Sequence, residues 1–577
     1  MDASDFDLVI RNGTIVDGSG AGRFSGDIAV RQGRIAAVGS FAGNGAEEID
    51  ASDRIVTPGF VDIHTHYDGH ATWANRLEPS SQHGVTTVVT GNCGVGFAPC
   101  READRDRLVQ LMEGVEDIPE AVMAAGLPWN WQSFPEYLDA LEQRSFDLDV
   151  ATQVPHAPLR VFVMGERALQ RDPATPEDVD AMQNIVREAV GAGALGFSTS
   201  RSLNHKASDG TITPSYAAAS DELAGIARGL AQDGNGVLQF ISDFDDIDSE
   251  FSIVRRMMRE SGRPLSLTLL QMPHVPHRWR EVLDRIELAR AEGDPIRAQV
   301  CGRPVGVMMG LDFTRNPFQL CPSYSEVAHL DTAARRTAMA DPQRRQRILI
   351  EFDETMDDDP FGLSRDFSML YELGEVPDYE PTPDQSIAAR AAAVGVRPIE
   401  LLYEVLVDRG GVIYLPAANY SGNSMSAIRQ MIAHPASVLG LGDGGAHCGL
   451  LCDASLTTHM LARWASGSGS GDEEEGMMSL EQVVHALTTR TAETVGLKDR
   501  GRIAAGLRAD FNIIDIDRIG LVRPEMIADL PGGGKRIGQK ATGYDATIVA
   551  GQVTRRAGAH TGALPGRLVR GAHARLH

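Results

Sequence analysis

The chain has 577 residues, 42% of them hydrophobic, and a formal net charge of −25 at pH 7. A chain of this length is too long to fold around one small hydrophobic core. It predicts a large barrel with a satellite domain, or two to four domains. The acidic balance argues against a nucleic-acid partner, because phosphate backbones are bound by Lys and Arg side chains.

The sequence predicts neither a secretion signal nor a membrane span. Its first residues, MDASDFDLVIRNG, contain no basic region followed by a long apolar run. The most apolar windows are only strand-length. The six cysteines are scattered and lack the density of a secreted disulfide scaffold. We therefore expect a cytoplasmic protein with reduced thiols that has no membrane contact.

Both ends of the chain show the residue pattern of β-strands. Residues 6–38 alternate apolar and polar side chains, and Asn12-Gly13 lies between two apolar runs, which favours a hairpin at that dipeptide. Residues 501–517 and 546–556 repeat this pattern. Chain termini often lie close together, so we expect one small β-sandwich domain built from residues 1–57 and 500–577.

The middle of the chain alternates strand and helix signals. Residues 176–193 show helical periodicity that ends at a glycine, as helices commonly do. Eight β-then-α units predict a (β/α)8 TIM-like barrel over residues 58–499, with its chemistry at the carboxyl ends of the strands. The gap at about 302–436 is too long for a bare loop and predicts a lid-like insertion. The candidate strands are 55–63, 85–90, 149–155, 194–200, 236–241, 264–270, 296–301 and 437–443.

The first of these strands ends in two histidines, His64 and His66, within the run IVTPGFVDIHTHYD. Side chains at i and i+2 of a strand leave the same face, so the two imidazoles can hold one divalent metal. A His-x-His pair alone is a weak signal, because such pairs recur in loops. Its place at the end of the first barrel strand makes it a candidate metal site.

Two more candidate ligands follow other strands. Cys93 follows the second strand, in GNCGVGFAPC, where a thiolate can bind zinc and the flanking glycines allow close backbone approach. Asp443 closes the last strand in LGDGGAH, where a carboxylate can bind metal and move a proton. His447, four residues further on, is the next candidate for a base if Asp443 is not one.

A family resemblance rests on these same residues. The run HTHYDGHATW, the segment EPSSQHGVTTVVTGNCGVGFAP, the strand GFSTSR and the segment GRIAAGLRADFNIID resemble the N-acyl-D-amino-acid deacylase (D-aminoacylase) branch of the amidohydrolase superfamily. The resemblance implies a distorted barrel with a β-sandwich, a zinc site of one or two ions, and hydrolysis of an acylated amine. It also implies that His64, His66, Cys93 and Asp443 form that zinc site.

The chain departs from that family at two strands. The family places a metal-binding histidine on the fifth and the sixth strand, whereas the corresponding segments here contain none. The nearest imidazoles are His274, just past the sixth strand, and His156, which ends the third. Both are candidate pocket residues for substrate and weaker candidates for replacement ligands. Arg201, at the end of the fourth strand, is a candidate for bidentate binding of a substrate carboxylate.

These features predict a metal-dependent hydrolase of a C–N bond, with an N-acyl amino acid or a related amide as its small-molecule substrate. Metal-activated water attacks the carbonyl, and Asp443 serves as general base and then acid. The same site would also suit a lactonase, an esterase or a cyclic-amide hydrolase. The missing histidines leave open a degenerate barrel that only binds a ligand. A homo-oligomer is compatible with the sequence.

Overall fold

The computed structural model describes residues 4–231, 234–355, 366–465 and 478–571. Strands dominate both ends of the chain, and strands and helices alternate between them. The strands of the described residues are β1 Phe6–Ile15, β2 Phe24–Arg31, β3 Arg34–Gly39, β4 Gly45–Asp50, β5 Ile55–Pro58, β6 Phe60–Asp62, β7 Val85–Thr90, β8 Asp149–Thr152, β9 Val154–Pro155, β10 Gly196–Arg201, β11 Val237–Ser242, β12 Leu265–Thr268, β13 Ile296–Val300, β14 Val305–Met309, β15 Tyr371–Leu373, β16 Val412–Ala418, β17 Ser437–Leu439, β18 Phe511–Ile514, β19 Gly520–Leu521, β20 Glu525–Ile527, β21 Arg536–Gly538, β22 Ala541–Thr542, β23 Tyr544–Val549, β24 Gln552–Arg556 and β25 Ala559–His560.

Most α-helices lie between the strands of the middle region. Those of the described residues are α1 His70–Trp73, α2 Arg105–Glu116, α3 Glu120–Gly126, α4 Phe134–Glu142, α5 His156–Met164, α6 Glu166–Leu169, α7 Pro176–Ala192, α8 Ser220–Ala227, α9 Ile247–Ser261, α10 Arg278–Ala291, α11 Pro322–Ser325, α12 Thr332–Met339, α13 Pro342–Thr355, α14 Ile387–Val394, α15 Pro398–Tyr403, α16 Ser426–Ala433, α17 Leu456–His459, α18 Leu480–Leu487 and α19 Thr489–Thr494. None of these helices is long and apolar enough to cross a bilayer.

The predicted helix near residue 176 is present as α7 and shows how local signals set its ends. The Thr175 hydroxyl accepts a hydrogen bond from the Asp178 N–H, and the Asp178 carboxylate accepts one from the Thr175 N–H, which forms a capping box. Gly193 ends the helix with a φ of 118°, a conformation that glycine adopts without steric cost.

A nine-stranded sheet is built from both ends of the chain. Its order is β25-β24-β23-β18-β5-β1-β2-β3, and β4 pairs with β1. The antiparallel pair β5–β18 joins the N-terminal strands to the C-terminal ones. Apolar side chains from both ends, including Leu8, Ile28, Phe511 and Ile548, share one buried cluster.

The expected hairpin at Asn12-Gly13 is wrong. Strand β1 continues through this dipeptide, and its register against β2 shifts between Ile10 and Gly13. Asn12 adopts a φ of 60°, and its backbone and side-chain N–H groups donate to Asp27 and Asp50. The dipeptide therefore forms a bulge within one long strand, because both neighbouring strands supply acceptors for it.

Eight strand positions form a parallel series in chain order. Strand β6 pairs with β7 and β7 with β8. After a break at Gln153, the series continues as β9-β10-β11-β12-β13-β17. Beyond the last strand, the Asp443 N–H donates to the His64 carbonyl over 3.0 Å, and the His66 N–H donates to the Gly444 carbonyl over 2.8 Å. The first and last strands of the series are thus hydrogen-bonded just past their carboxyl ends.

The predicted first strand, 55–63, is two strands in two different sheets. Strand β5 belongs to the terminal sheet and β6 to the parallel series, with Gly59 between them. A Cβ at position 59 would lie 2.1 Å from the Thr86 hydroxyl. Only glycine therefore fits where the chain crosses from one sheet to the other.

The segment between β13 and β17 has a core of its own. Strands β14, β16 and β15 form a small antiparallel sheet, and helices α11 to α15 contribute buried side chains to the same core. Buried side chains that include Phe318, Phe352 and Tyr403 form a separate apolar cluster. Residues 356–365, within this segment, lie outside the described part of the chain.

Candidate active site

An open cavity of about 520 Å³ lies at the carboxyl ends of the parallel strands. Its lining comes from the ends of β11 and β12, from residues that follow β6, β7, β10, β11, β12 and β17, and from helices α2 and α10. The described part of the predicted lid, 302–436, contributes Val305 to this lining. Apolar side chains in the lining include Ile241, Phe244, Leu269, Leu270, Trp279 and Leu441.

Three buried side chains point their ligand atoms at one another on the floor of this cavity. Cys93 Sγ lies 3.2 Å from His64 Nε2 and 3.5 Å from His66 Nε2. One ligand atom from each of the three lies within 4.8 Å of the other two. Two imidazole nitrogens and a sulfur are a donor set typical of zinc. Both histidines follow β6 rather than lying in it, yet they face the same cavity.

The outer nitrogen of His64 has a partner that fixes the role of this imidazole. His64 Nδ1 lies 2.7 Å from the Gln299 amide oxygen, and the amide nitrogen of Gln299 donates to Ser266 over 2.8 Å. Because an amide oxygen only accepts, His64 carries its proton on Nδ1 and directs the Nε2 lone pair at Cys93. Burial lowers the pKa of His64 to about 4 and that of His66 well below its usual value, so both imidazoles are neutral at pH 7.

The backbone places Cys93 at this point by an unusual turn. Its φ is 56°, and its N–H donates to the Gln239 amide oxygen over 3.2 Å. The preceding Asn92 donates to the carbonyls of Thr65 and Val89. At Gly94, φ is 67° and an added Cβ would lie 3.0 Å from the backbone of β10. Burial raises the pKa of the Cys93 thiol well above its usual value.

Asp443 lies above the two histidines. Its Oδ1 is 3.6 Å from His64 Nε2 and 3.8 Å from His66 Nε2. Strand β17 ends at Leu439, so Asp443 follows the strand by four residues, and its φ of 48° turns it toward the cavity. Burial raises the pKa of its carboxyl to about 7.

Glu116 is a buried acid that the sequence analysis missed. Its Oε1 lies 3.4 Å from His66 Nδ1 and its Oε2 lies 3.8 Å from His447 Nε2. Burial, reinforced by the charges of Asp443 and Asp68, raises the pKa of Glu116 well above its usual value. The spacing of Leu108, Met112 and Glu116 at i, i+4 and i+8 puts this acid on the buried stripe of α2, and this signal could have revealed it.

Arg201 has a partner away from the cavity. Its guanidinium bonds both carboxylate oxygens of Glu250, at 3.0 and 2.9 Å, and donates to the Ala218 carbonyl over 2.6 Å. Arg201 is not among the lining residues of the cavity. We therefore correct the sequence-based expectation and leave Arg201 out of the substrate site.

His156 is also part of a buried polar group and does not line the cavity. Its Nδ1 lies 2.8 Å from the Thr199 hydroxyl and its Nε2 lies 3.0 Å from Glu222. Arg160 donates to the same carboxylate over 2.6 Å. Both ring nitrogens are satisfied, so neither is free to bind substrate or metal, and this expectation is corrected in the same way.

The buried Arg160–Glu222 pair makes a stability prediction. Glu222→Gln leaves the Arg160 charge buried without its counterion, so we expect the free energy of unfolding to fall by about 3–5 kcal/mol. Chemical denaturation of both proteins measures this loss. Glu250→Gln, which breaks the less buried pair with Arg201, is the matched control and should cost less. Equal losses in the two variants would contradict the assignment.

Besides His447, two further histidines line the cavity. His274 is exposed and lines its mouth, which leaves it a candidate for contact with substrate. His205, in the segment after β10, also lines the cavity, and its Nδ1 lies 2.7 Å from the Ser200 hydroxyl. Sequence reasoning passed over His205, although its place just past a strand of the parallel series is the same signal that singled out Cys93.

A family model described as the amidohydrolase family matches residues 47–555 of the chain. This chain belongs to the amidohydrolase family. The match covers all of the parallel series and every residue of the cavity described above, but it leaves out β1, β2 and β3 of the terminal sheet. Membership confirms the family resemblance inferred from the sequence motifs.

Several curated proteins are similar to this amidohydrolase. The D-aminoacylase of Alcaligenes xylosoxydans xylosoxydans is 32% identical over 297 residues, which are 51% of this chain and 57% of that protein. The chain thus spans little more than half the length of that relative. The N-acyl-D-aspartate deacylase of the same organism is 28% identical over 523 residues, 88% of this chain and 86% of the relative.

Solved structures share its fold. An N-acyl-D-glutamate deacylase from Bordetella bronchiseptica, in complex with zinc and a phosphonate mimic of the tetrahedral intermediate, superposes with a TM-score of 0.65 at 23% identity, covering 98% of this chain and 99% of that one. A D-aminoacylase structure superposes with a TM-score of 0.64 at 22% identity, covering 98% of this chain and 100% of that one. The chain therefore has the mixed α/β fold of these amidohydrolases.

Proposed function

We propose that this amidohydrolase is a metal-dependent enzyme that cleaves an amide C–N bond, with N-acyl amino acids as the first substrate class to test. The observation that carries the proposal is the convergence of His64, His66, Cys93 and Asp443 at one cavity. Family membership supports hydrolysis, and the names of the similar deacylases point to acylated amino acids.

We infer that His64, His66 and Cys93 hold a divalent ion, with zinc as the first candidate and Asp443 beside it. The donor set fits, because both imidazoles are neutral and direct Nε2 at the sulfur. When bound, such an ion polarises a carbonyl and lowers the pKa of water. Glu116 and Gln299 orient the histidines from outside, as partners of metal ligands commonly do.

The proton steps fall to Asp443. Water adds to the amide carbonyl carbon and loses a proton to the Asp443 carboxylate. The C–N bond then breaks as Asp443 returns that proton to the nitrogen, which leaves as an amine while the acyl part, which keeps the second proton of the water, leaves as a carboxylic acid. The position of Asp443, within 4 Å of both histidine Nε2 atoms, supports this role.

We infer one tightly bound ion rather than two. Strand β11 contains Gln239 and strand β12 ends at Thr268, and neither strand contains a histidine. Amide and hydroxyl oxygens are poor zinc donors. Gln239 already accepts the Cys93 N–H.

We also propose the architecture that the chain pattern predicts. The parallel series forms a closed (β/α)8 barrel over residues 58–499, and residues 1–57 and 500–577 form the small β-domain. The hydrogen bonds between the segments after β6 and β17 support closure. The six cysteines are unpaired, which supports a reducing compartment such as the cytoplasm.

A hydrolysis screen tests the proposed function. The zinc-loaded protein is assayed against N-acyl-D- and N-acyl-L-amino acids, cyclic imides and lactones, with release of amine or acid as the readout. We expect turnover of at least one acylated amine. Turnover of lactones alone would shift the assignment to an esterase, and a protein that binds zinc but hydrolyses nothing would overturn the proposal.

Cys93→Ala tests the sulfur ligand. Removing it should weaken zinc affinity by more than about 100-fold, beyond the loss expected from an outer partner of a ligand. Zinc content after dialysis against a competing chelator measures the change. Cys100→Ala, at a buried cysteine outside the cavity, should keep its zinc. Unchanged zinc in the Cys93 variant would remove this residue from the site.

A further inference from the structure

We propose that the Nε2–H of His205 donates a hydrogen bond to the carbonyl oxygen of the scissile amide and holds the oxyanion that forms there. This inference rests on the proposed function, since it assigns a role in that reaction. It adds a catalytic residue from the segment after β10.

The hydrogen bonds of Ser200 set the orientation of this imidazole. The Ser200 hydroxyl oxygen accepts the N–H of Ser202 over 3.3 Å and lies 2.7 Å from His205 Nδ1. The hydroxyl proton of Ser200 is satisfied when it points at Nδ1. His205 then carries its own proton on Nε2. Within the described part of the chain, His205 Nε2 has no hydrogen-bond partner, and the side chain lines the cavity.

The backbone around His205 is also held in place. Its N–H donates to the Ser202 carbonyl over 3.3 Å, and its carbonyl accepts the N–H of Thr213 over 3.0 Å. Lys206 pairs with Ile212 in an antiparallel bridge. The segment from 202 to 213 therefore forms a closed turn that fixes the imidazole, and a fixed donor does not need to reorganise during reaction.

The electrostatic surroundings suit a neutral donor. Burial lowers the pKa of His205 to about 4; the charge of Asp243 opposes this shift, and the nearby His64 adds to it. The imidazole is therefore uncharged at pH 7 and does not repel a bound cation. The hydrogen bond from a neutral N–H held in a fixed position stabilises the acceptor oxygen most strongly when negative charge develops on that oxygen. Asp443 moves the protons, so His205 only donates a hydrogen bond.

Three variants separate this role from the alternatives. His205→Ala should lower kcat by about 100- to 1,000-fold, as loss of an oxyanion donor does, with KM and zinc content close to wild type. His205→Gln keeps an N–H donor of similar reach and should recover part of kcat. His329→Asn, at an exposed histidine outside the cavity, is the matched control and should match wild type.

Two readouts do not depend on turnover. A phosphonate analogue of the N-acyl amino acid should bind His205→Ala more weakly, by a factor similar to the loss in kcat, while the product amino acid binds equally. Ring ¹⁵N shifts should show His205 as the Nε2–H tautomer in wild type. In Ser200→Ala they should show a mixture of tautomers, with a smaller loss of kcat.

The outcomes are distinct. Loss of zinc in His205→Ala would make this residue a metal ligand, and a rise in KM alone would make it a ground-state binding residue. Either result overturns the proposal, as does a Gln variant no better than Ala. Wild-type protein that hydrolyses no amide overturns the proposed function and this role with it. Wild-type turnover with unchanged kcat in His205→Ala overturns this role alone.

Discussion

Asp443→Asn should lower kcat by about 10²- to 10⁴-fold, the usual contribution of a general acid–base group. Asparagine keeps the shape of the side chain but has no carboxylate to take the proton of the attacking water. Binding of a non-hydrolysed phosphonate analogue should change much less than kcat. Steady-state kinetics and calorimetric titration on zinc-loaded protein measure both quantities.

The matched control for this variant is Asp517→Asn. Asp517 is exposed and lies in the C-terminal part of the chain outside the cavity, so the same chemical change should leave kcat unaltered. A near-native kcat in Asp443→Asn would assign the base elsewhere. His447, which lines the same cavity and lies 3.8 Å from Glu116, would then be tested by the same substitution to asparagine.

Replacing both His64 and His66 with alanine should abolish zinc binding and turnover together. The two residues supply two of the three ligand atoms that converge in the cavity. A ligand that binds only the native state stabilises it by about 4 kcal/mol when its concentration is 1,000 times Kd. Wild-type protein should therefore melt at a higher temperature with zinc than with a chelator, and the double variant should show no such shift.

His434→Asn is the control for the double variant. This histidine bonds Glu287 over 2.8 Å on the outside of the parallel series, and its loss should leave the zinc-dependent melting shift intact. A double variant that still gains stability from zinc would place the ion at other residues. Other residues would then have to bind the ion together with Cys93 and Asp443.

The strand pattern was predictable because buried parallel strands are short apolar runs. Each of the eight predicted strand segments contains a strand of the parallel series. The prediction failed at 55–63, where one apolar run serves two sheets. Periodicity does not reveal such a crossing, and only the 2.1 Å approach of a hypothetical Gly59 Cβ to Thr86 shows why glycine marks it.

The predictions for individual side chains also succeeded in some places and failed in others. His64, His66, Cys93 and Asp443 follow strand ends, and the structure brings them to one cavity. Arg201 also ends a strand, yet it pairs with Glu250. Neighbouring side chains of a strand leave opposite faces. When both faces of the strand are buried, however, the sequence does not show which of the two faces lines the cavity.

The sequence by itself determined the order of the parallel strands, the pairing of both chain ends in one sheet, and the metal-type residues at strand ends. These depend on local periodicity and on residue type. Only the tertiary structure decided that Glu116 and His205 join them and that His156 does not. The reason is that their environment comes from segments far apart in the chain: Glu116 meets His447 across more than 300 residues, whereas Glu222 and Arg160 enclose His156.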